Sequence, residues 1–430
     1  MSRNKLFMVG VILLLSLDFV LSQSWLKQNS PTNVWLNRIS FSDSLNGWAA
    51  GENGIIIHTS NGGINWMMQN SPVNYFIYDI FFLNNRLGWA VANDNLLNGT
   101  AILSTTTGGL NWSYYRYPDT TFLLYTIYFN DSLTGFMGGY GGKLLITSNS
   151  GFNWQFCITD STPFSYSTVQ KIKFFNPSFG VAVGGAFDFS GVIWKTTNGG
   201  LRWNVNDYSS EPVFDVFFLN ENNIIAVGGD YDFGATIFKS SNSGSNWTFD
   251  WLNLFGIANS ISFRTQTEGW AGLSSSPYFA YTTDGGNTWE TMLVPDTNSV
   301  YGITFKDPFH GYACGTHGSI YKFNTQAIGI KNNKNSYPQK FSLYQNYPNP
   351  FNPVTRIKFE IPKIGNKDIM QSKLVVYDYL GREVITLNNG RLQAGIYEVI
   401  WDASDYPSGV YFYTLSVGEF TKTRKMIVLK

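Results

Sequence analysis

The chain has 430 residues, with 29 basic and 29 acidic side chains, and charged residues make up only 13% of it. This balance excludes a basic face that would hold nucleic acid and a polybasic segment for anionic lipid. Aromatic residues are frequent, at 17%, whereas the three histidines and two cysteines are scattered without the spacing of a metal site. We therefore predict no metal centre, no cofactor and no disulfide framework.

The N-terminus has the pattern of a secretory signal peptide. Arg3 and Lys5 precede an apolar run, Leu6 to Leu17, and a small residue, Ser22, stands just before Gln23. The run is too short for a good membrane span, and no later stretch approaches that length. We expect residues 1–22 to be removed and the mature protein to be exported, without a transmembrane segment.

A repeated octapeptide dominates residues 23–324. Tryptophans at 25, 66, 112, 154, 203, 247 and 289 are separated by 41, 46, 42, 49, 44 and 42 residues. This period is typical of propeller blades, in which four short strands form one blade. All tryptophans except the first end the octapeptide, whose copies are Thr59–Trp66, Thr105–Trp112, Thr147–Trp154, Thr196–Trp203, Ser240–Trp247 and Thr282–Trp289.

The ends of the repeat region predict how the propeller closes. Trp25 to Pro31 repeats the sequence of Trp66 to Pro72 without a preceding octapeptide, and Tyr301 to Phe323 supplies three strands without a fourth. We predict that the first strand joins the last three in a shared blade. The fold class is then all-β, a seven-bladed β-propeller without an open sheet edge.

The octapeptide has the composition of a turn. Asn or Asp can fold its side chain onto backbone N–H groups, and Gly supplies the positive φ that the hairpin needs. The following tryptophan is expected to pack in the blade. The predicted turn and core residues are Asn61, Trp66, Trp112, Trp154, Trp203, Trp247, Asp284 and Trp289.

These copies resemble the Asp-box, or bacterial neuraminidase repeat, although only Asp284 keeps the acid. With GWAAG (Gly47 to Gly51) and GWAVA (Gly88 to Ala92), they are also similar to the photosystem II assembly-factor propellers. The resemblance implies architecture, and we do not transfer the photosystem role. Sialidases share the Asp-box, but too few arginines lie toward the opposite face to form their site.

A different composition follows Phe323. Residues 325–340 form a polar linker, and residues 341–430 form a second domain with NYPNPFNP, VYDYLGREV, AGIYEVIWDAS and PSGVYFYTL in order. This segment resembles the type A C-terminal sorting domain of the type IX secretion system. The resemblance implies a small immunoglobulin-like β-sandwich, recognition by the secretion machinery and its sorting protease, and a secreted or cell-surface protein of a Gram-negative bacterium that passes through the periplasm.

Two loops offer candidate ligand-binding residues on the face opposite the octapeptides. GGAFDFSG (Gly184 to Gly191) and GGDYDFG (Gly228 to Gly234) alternate aromatic rings with carboxylates, a combination that suits sugar rings. With Arg38, the candidates are Phe187, Asp188, Phe189, Asp230, Tyr231, Asp232 and Phe233.

Asp79 and Asp215 stand at equivalent positions before inner strands, and a carboxylate pair is the minimum for glycoside hydrolysis. The alternative is that they solvate the tunnel or join blades by hydrogen bonds, and we assign no catalytic residue. We therefore predict a monomeric, exported, non-catalytic binding module, with carbohydrate as one ligand class. A polysaccharide-degrading glycoside hydrolase and a structural surface protein with a protein partner remain alternatives.

Overall fold

The computed structural model describes residues 25–94, 99–324, 338, 340–363, 369–403 and 406–429, whose regular elements are β-strands and a few 3-10 turns. The predicted signal peptide and most of the predicted linker lie outside the described residues. Within the described residues, no helix has the length and apolar character needed to cross a membrane. The chain divides into two compact units at Thr325.

The strands of the first unit form seven sheets. Sheet 7 joins the N-terminal β1 (Trp25–Lys27) to β27 (Val300–Phe305), β28 (Gly311–Gly315) and β29 (Ile320–Phe323). Sheet 1 contains β2 (Leu36–Phe41), β3 (Gly47–Gly51), β4 (Ile56–Thr59) and β5 (Met67–Gln69). Sheet 2 contains β6 (Phe76–Phe82), β7 (Gly88–Asn93), β8 (Thr100–Thr105) and β9 (Ser113–Arg116). Sheet 3 contains β10 (Leu124–Phe129), β11 (Gly135–Gly139), β12 (Leu144–Thr147) and β13 (Gln155–Phe156).

The remaining sheets follow the same order. Sheet 4 contains β15 (Thr168–Phe174), β16 (Gly180–Ala186), β17 (Ser190–Thr196) and β18 (Arg202–Ser209), with β14 (Ile158–Thr159) added outside β18. Sheet 5 contains β19 (Val213–Phe218), β20 (Ile224–Asp230), β21 (Gly234–Ser240) and β22 (Thr248–Trp251). Sheet 6 contains β23 (Ile257–Phe263), β24 (Gly269–Ser274), β25 (Tyr278–Thr282) and β26 (Glu290–Leu293).

The first strands of the seven sheets form a closed ring. The pairs in contact are β2 with β6, β6 with β10, β10 with β15, β15 with β19, β19 with β23, β23 with β27, and β27 with β2. One expectation needs correction, because sheet 4 has five strands rather than four. Its extra strand β14 pairs parallel to β18, since the chain after sheet 3 runs along the neighbouring outer strand before it enters β15.

The predicted pairing of the N-terminal strand with the last strands of the unit is present. In sheet 7, Trp25 lies opposite Phe323 and is only 1% exposed. Its ring stacks on Phe279 of sheet 6 at 4.8 Å between centroids. Lys27 forms a 2.8 Å ion pair with Asp296, which lies in the connection before β27. Burial would raise the pKa of Asp296, but hydrogen bonds from Lys27, Tyr321 and Ser319 lower it to about 2.

A glycine at the start of the second strand recurs because a phenylalanine ring of the first strand lies against it. At Gly88, a β-carbon would lie 2.4 Å from Phe82, too close for any side chain. The same contact occurs in six sheets, at Gly47, Gly88, Gly135, Gly180, Gly269 and Gly311. Sheet 5 departs from it, because Ile224 stands opposite Phe218.

The octapeptides are turns between the third and fourth strands. In the first copy, the Thr59 hydroxyl accepts the Gly63 N–H at 3.0 Å, and Asn61 Oδ1 accepts the Asn65 N–H at 3.0 Å. Corresponding bonds occur in the other five copies. Both glycines of the first copy have positive φ, 66° and 81°. The conformation is therefore set by local hydrogen bonds.

The octapeptide tryptophans pack less uniformly than their spacing suggests. Trp66, Trp203 and Trp247 are buried, whereas Trp112, Trp154 and Trp289 are half-buried. The indole N–H of Trp203 donates to Gly200 of its own turn, and three other copies repeat this bond.

The second unit has two antiparallel sheets. Its strands are β30 (Ser342–Leu343), β31 (Val354–Ile361), β32 (Ile369–Tyr377), β33 (Glu383–Gln393), β34 (Gly395–Asp402), β35 (Gly409–Val417) and β36 (Phe420–Val428). They are ordered β30-β31-β34 and β33-β32-β35-β36. Side chains of both sheets, including Phe359, Trp401 and Tyr413, form one hydrophobic cluster.

Gly390 and the proline-rich stretch are both compatible with the sheets of the second unit. Gly390 lies within β33, where it pairs with Ser372. The strand that follows the proline-rich stretch, β31, lies between β30 and β34. Pro353, the last proline of that stretch, precedes β31, so no proline removes an N–H from that strand.

Candidate functional site

Each first strand of the ring contains one bulge near its beginning. The bulged residues are Asn37, Tyr78, Tyr125, Gln170, Phe214, Asn259 and Tyr301. The residues that follow them are Arg38, Asp79, Thr126, Lys171, Asp215, Ser260 and Gly302. A bulge redirects side chains next to it. The seven bulges therefore create two sets of equivalent positions, one aromatic-rich and one charged.

The charged set surrounds a central cavity of about 340 Å³. Asp79 and Asp215 line it, together with Arg38, Lys171 and Lys173. The two aspartates were predicted before the inner strands but lie within them, in β6 and β19. Arg38, predicted as a ligand-binding residue, lies in this cavity, and its Nη1 donates to the Asn37 and Tyr301 carbonyl oxygens at 3.1 Å.

Both aspartates join neighbouring sheets. Asp79 accepts hydrogen bonds from the Thr126 hydroxyl at 2.9 Å and the Ile127 N–H at 3.1 Å, and Lys171 Nζ lies 2.8 Å from each of its oxygens. Asp215 accepts the Ile261 N–H at 2.9 Å and pairs with Lys173 at 2.7 Å. Each aspartate also accepts the N–H of the residue that follows it, Ile80 or Val216. All their other partners belong to sheets other than the aspartate's own.

The electrostatics of the cavity fit this joining role. Burial raises the pKa of Asp215, but Lys173 and Lys171 lower it, and the pKa ends below its ordinary value. Burial lowers the pKa of Lys171, against the attraction of Asp79. A general acid for glycoside hydrolysis needs the opposite shift, toward a raised carboxyl pKa. The arrangement therefore favours sheet-to-sheet ion pairs over acid–base chemistry.

The aromatic set lies toward the side of the ring that carries the hairpins between the second and third strands of each sheet. We call this side the loop face. Tyr78 contacts Tyr125 at 4.9 Å and Phe76 at 4.8 Å, measured between ring centroids. Trp35 continues the series, with Phe76 at 5.1 Å and Tyr301 at 4.3 Å. Five half-buried rings from sheets 1, 2, 3 and 7 thus form a continuous series of contacts.

The predicted ligand-binding aromatics form a second group of ring contacts. Phe187 stands in the hairpin between β16 and β17, and Tyr231 in the hairpin between β20 and β21. Their rings contact each other at 5.7 Å, and Phe187 also contacts the bulged Phe214 at 5.8 Å. Phe187, Phe189, Tyr231 and Phe233 are 45%, 67%, 65% and 64% exposed. The structure therefore brings Phe187 and Tyr231 together, with Phe233 turned toward Trp251 at 5.4 Å.

The predicted carboxylates on the same hairpins have separate environments. Asp230 is only 3% exposed, and its Oδ1 accepts the N–H groups of Asp232 at 3.1 Å and Phe233 at 2.6 Å. Asp188 and Asp232 are exposed, and Asp188 has a positive φ of 55°. Asp188 and Asp230 have carboxylate oxygens within 4.8 Å of each other and of Glu211. Sequence reasoning did not identify Glu211 as a functional residue.

The bulged aromatics were also missed as a set. The signal was present in the repeats, because YDIFF, YTIYF, FDVFF and YGITF each begin with the bulged ring. Only the residue after each bulged ring was predicted as a candidate. In a strand with strict alternation, the ring and that residue would lie on opposite faces. Glu211 had no such signal, since it occurs once, in the connection between β18 and β19.

Residues 345–429 match the family described as "Secretion system C-terminal sorting domain". The second unit is therefore a sorting domain, and the protein is secreted by the type IX system to the cell surface or extracellular space of a Gram-negative bacterium. No curated protein matches the chain.

The first unit is similar to solved β-propellers. "YCF48 bound to D1 peptide" has 21% identity and a TM-score of 0.57, over 70% of this chain and 96% of that one. The Cps50 (Swd1) beta-propeller domain of Myceliophteria thermophila has 10% identity and a TM-score of 0.53, over 68% and 98%. The GH74 xyloglucanase of Xanthomonas campestris has 11% identity and a TM-score of 0.54, over 94% and 67%. At these identities the likeness shows the fold, a β-propeller, and no activity.

Proposed function

We propose that the first unit is a seven-bladed propeller, closed by β1 in a shared blade, that serves as a non-catalytic carbohydrate-binding module of an exported protein. The observation that carries this proposal is the group of exposed rings on the loop face, centred on Phe187 and Tyr231. Sugar rings have apolar C–H faces that stack on aromatic side chains and hydroxyl edges that bond to carboxylates. Asp188 and Asp232 supply exposed acceptors beside these rings.

The surrounding structure supports a binding surface on this face. Clustered exposed aromatics are uncommon on monomeric proteins unless they contact a ligand or partner. The bulged ring of Phe214 contacts Phe187, and Phe187 contacts Tyr231, so these rings pack on one another without a ligand. A preformed surface loses little conformational freedom on binding. The glycoside hydrolase alternative has no such support, because the lysines hold both candidate carboxylates of the cavity.

The test is binding of the purified mature chain to a polysaccharide and glycan array. We expect a Phe187→Ala, Tyr231→Ala double variant to lose at least tenfold in affinity while its melting temperature stays within about 2 °C of the original. A matched control replaces Leu110 and Phe152, which are 79% and 81% exposed on the octapeptide face, with alanine. The control variant should bind as the original protein does.

Two outcomes would contradict the proposal. Binding that is reduced equally in both double variants would show that exposed apolar area, and not the loop face, holds the glycan. No binding to any glycan would exclude the carbohydrate proposal and favour a peptide ligand, as in the YCF48 complex with the D1 peptide.

A further inference from the structure

Glu211 is a buried carboxylate without an ion-pair partner in the part of the chain that the structure describes. It is 2% exposed, and its Oε2 has no hydrogen-bond partner among the described residues. Its Oε1 accepts the Ser210 hydroxyl at 3.0 Å. The backbone is held in place independently, because the Ser209 hydroxyl donates to the Glu211 carbonyl oxygen at 2.7 Å. The chain therefore fixes this side chain in position while leaving one of its oxygens unsatisfied.

Glu211 belongs to a group of three acidic side chains from three separate segments. Carboxylate oxygens of Asp188, Glu211 and Asp230 lie within 4.8 Å of one another. Asp188 belongs to the β16–β17 hairpin, Asp230 ends β20, and Glu211 lies in the connection between β18 and β19. Among the ion pairs that the described part of the chain contains, none involves these three residues.

Three such carboxylates without a cation are unfavourable. A buried charge is costly unless it is paired or bound to a metal. The cavity pairs of Asp79 and Asp215 show how the same protein satisfies buried carboxylates elsewhere, with lysine. Among the residues that the structure describes, no lysine forms an ion pair with Glu211.

We infer that Asp188, Glu211 and Asp230 bind one calcium ion. The donors are all carboxylate oxygens, which hard divalent cations prefer, and Ca–O bonds of about 2.3–2.6 Å place opposite ligands about 4.6–5.2 Å apart. The observed separations, below 4.8 Å, fit within that shell. Calcium takes about six to eight ligands, and water and backbone carbonyl oxygens would supply the rest.

The ion would join the two hairpins that carry the exposed aromatic residues. Phe187 and Phe189 flank Asp188, and Tyr231 follows Asp230 directly. Calcium would thereby hold the loops of sheets 4 and 5 in one arrangement. The inference does not depend on the proposed function, because the ion site stands on the carboxylates alone, whatever ligand the loop face binds.

Calcium binding is tested on the mature protein after removal of metals with a chelator. We expect isothermal titration to give one site with a Kd between about 10⁻⁴ and 10⁻³ M, the range of extracellular calcium modules. Calcium at 10 mM, about ten times the upper Kd, should raise the melting temperature, because only the folded state brings the three ligands together. Terbium, which replaces calcium in oxygen sites, should show luminescence sensitised by Tyr231.

Two variants make the test specific. Glu211→Gln should abolish the calcium response and raise the melting temperature of the metal-free protein, because it removes one of three repelling charges. Asp188→Asn, at an exposed position, should weaken binding at least tenfold. The matched control, Glu221→Gln, changes an exposed glutamate and should leave the calcium response unchanged.

The opposite results would overturn the inference. Absence of heat, of a thermal shift and of terbium luminescence in the folded protein would show that no ion binds. A calcium response that persists in both Glu211→Gln and Asp188→Asn would place the ion elsewhere. A stronger response to magnesium than to calcium would contradict the assigned metal.

Discussion

The two faces of the propeller differ in how their hairpins are built. On the octapeptide face, six turns repeat the same bonds, in which a Thr or Ser hydroxyl accepts a glycine N–H at 2.9–3.0 Å. On the loop face, the hairpins of sheets 1, 3 and 7 are short 3-10 turns, whereas those of sheets 4 and 5 extend with exposed aromatic residues. The repeated turns therefore satisfy their hydrogen bonds locally, whereas the hairpins that depart from the repeat carry unsatisfied or exposed groups.

This contrast separates residues that specify the fold from residues that are free to acquire a function. A turn closed by its own side chains tolerates little change and offers little to a ligand. A hairpin with an exposed ring or an unpaired carboxylate gains nothing in stability from either group. Substitutions at repeated positions should thus alter stability, and substitutions at loop-face positions should alter binding.

The largest effect is expected where the ring closes. Trp25→Ala removes a ring that is 1% exposed and packs between sheets 6 and 7, and it should lower the free energy of unfolding by about 3–5 kcal/mol. Denaturant unfolding measures this loss. Leu26→Ala, at a neighbouring side chain that is 43% exposed, is the control and should have little effect. Equal stability of the two variants would show that β1 does not close the ring.

The second-largest effect is expected at Asp79, which lies outside the octapeptides and joins different sheets. Asp79→Asn leaves Lys171 buried without its counter-ion and should cost about 3 kcal/mol of unfolding free energy. Adding Lys171→Met to Asp79→Asn should restore part of that loss, as measured in a double-mutant cycle. If Asp79→Asn is as stable as the original protein, the aspartate has a role other than joining sheets, and the hydrolase alternative regains support.

A smaller effect is expected at a repeated turn. Thr59→Val removes the oxygen that accepts the buried Gly63 N–H and should lower the unfolding free energy by about 1–3 kcal/mol. Thr291→Val makes the same chemical change at an exposed position in β26 and should change it by less than about 0.5 kcal/mol. Thermal melts of both variants measure this difference in stability. Indistinguishable melting curves would contradict the hydrogen-bonded turn.

The smallest effect distinguishes one octapeptide from the other five. Asp284 is the one acid at its position, and hydrogen bonds from Thr288, stronger than the opposing effect of burial, lower its pKa to about 2. Since the folded pKa lies below the ordinary value of 3.8, its stabilising contribution is complete above pH 3.8 and disappears as pH falls toward 2. The melting-temperature difference between the original protein and Asp284→Asn should shrink over this interval. A constant difference would refute the assignment.

The sequence by itself determined the periodic features of the protein. The octapeptide spacing indicated the repeated sheets, the sequence match of Trp25 to Pro31 with Trp66 to Pro72 indicated the pairing of β1, and ordered motifs indicated the sorting domain. These features are local or repeated, so short-range chemistry such as the Thr59 turn or the Gly88 contact fixes them wherever they occur. The prediction extended to Phe187 and Tyr231 because alternation of rings and acids is visible within one loop.

Only the tertiary structure decided which residues from different sheets meet. Strict alternation within a strand could not foresee the bulge at Tyr78 or its equivalents in the other sheets, because a bulge inserts one residue into the register. Lys171 meets Asp79 across 92 positions of sequence, and Glu211 meets Asp188 and Asp230 from a connection without a motif. Such contacts depend on ring closure, which sets distances between sheets, and no spacing within one repeat encodes them.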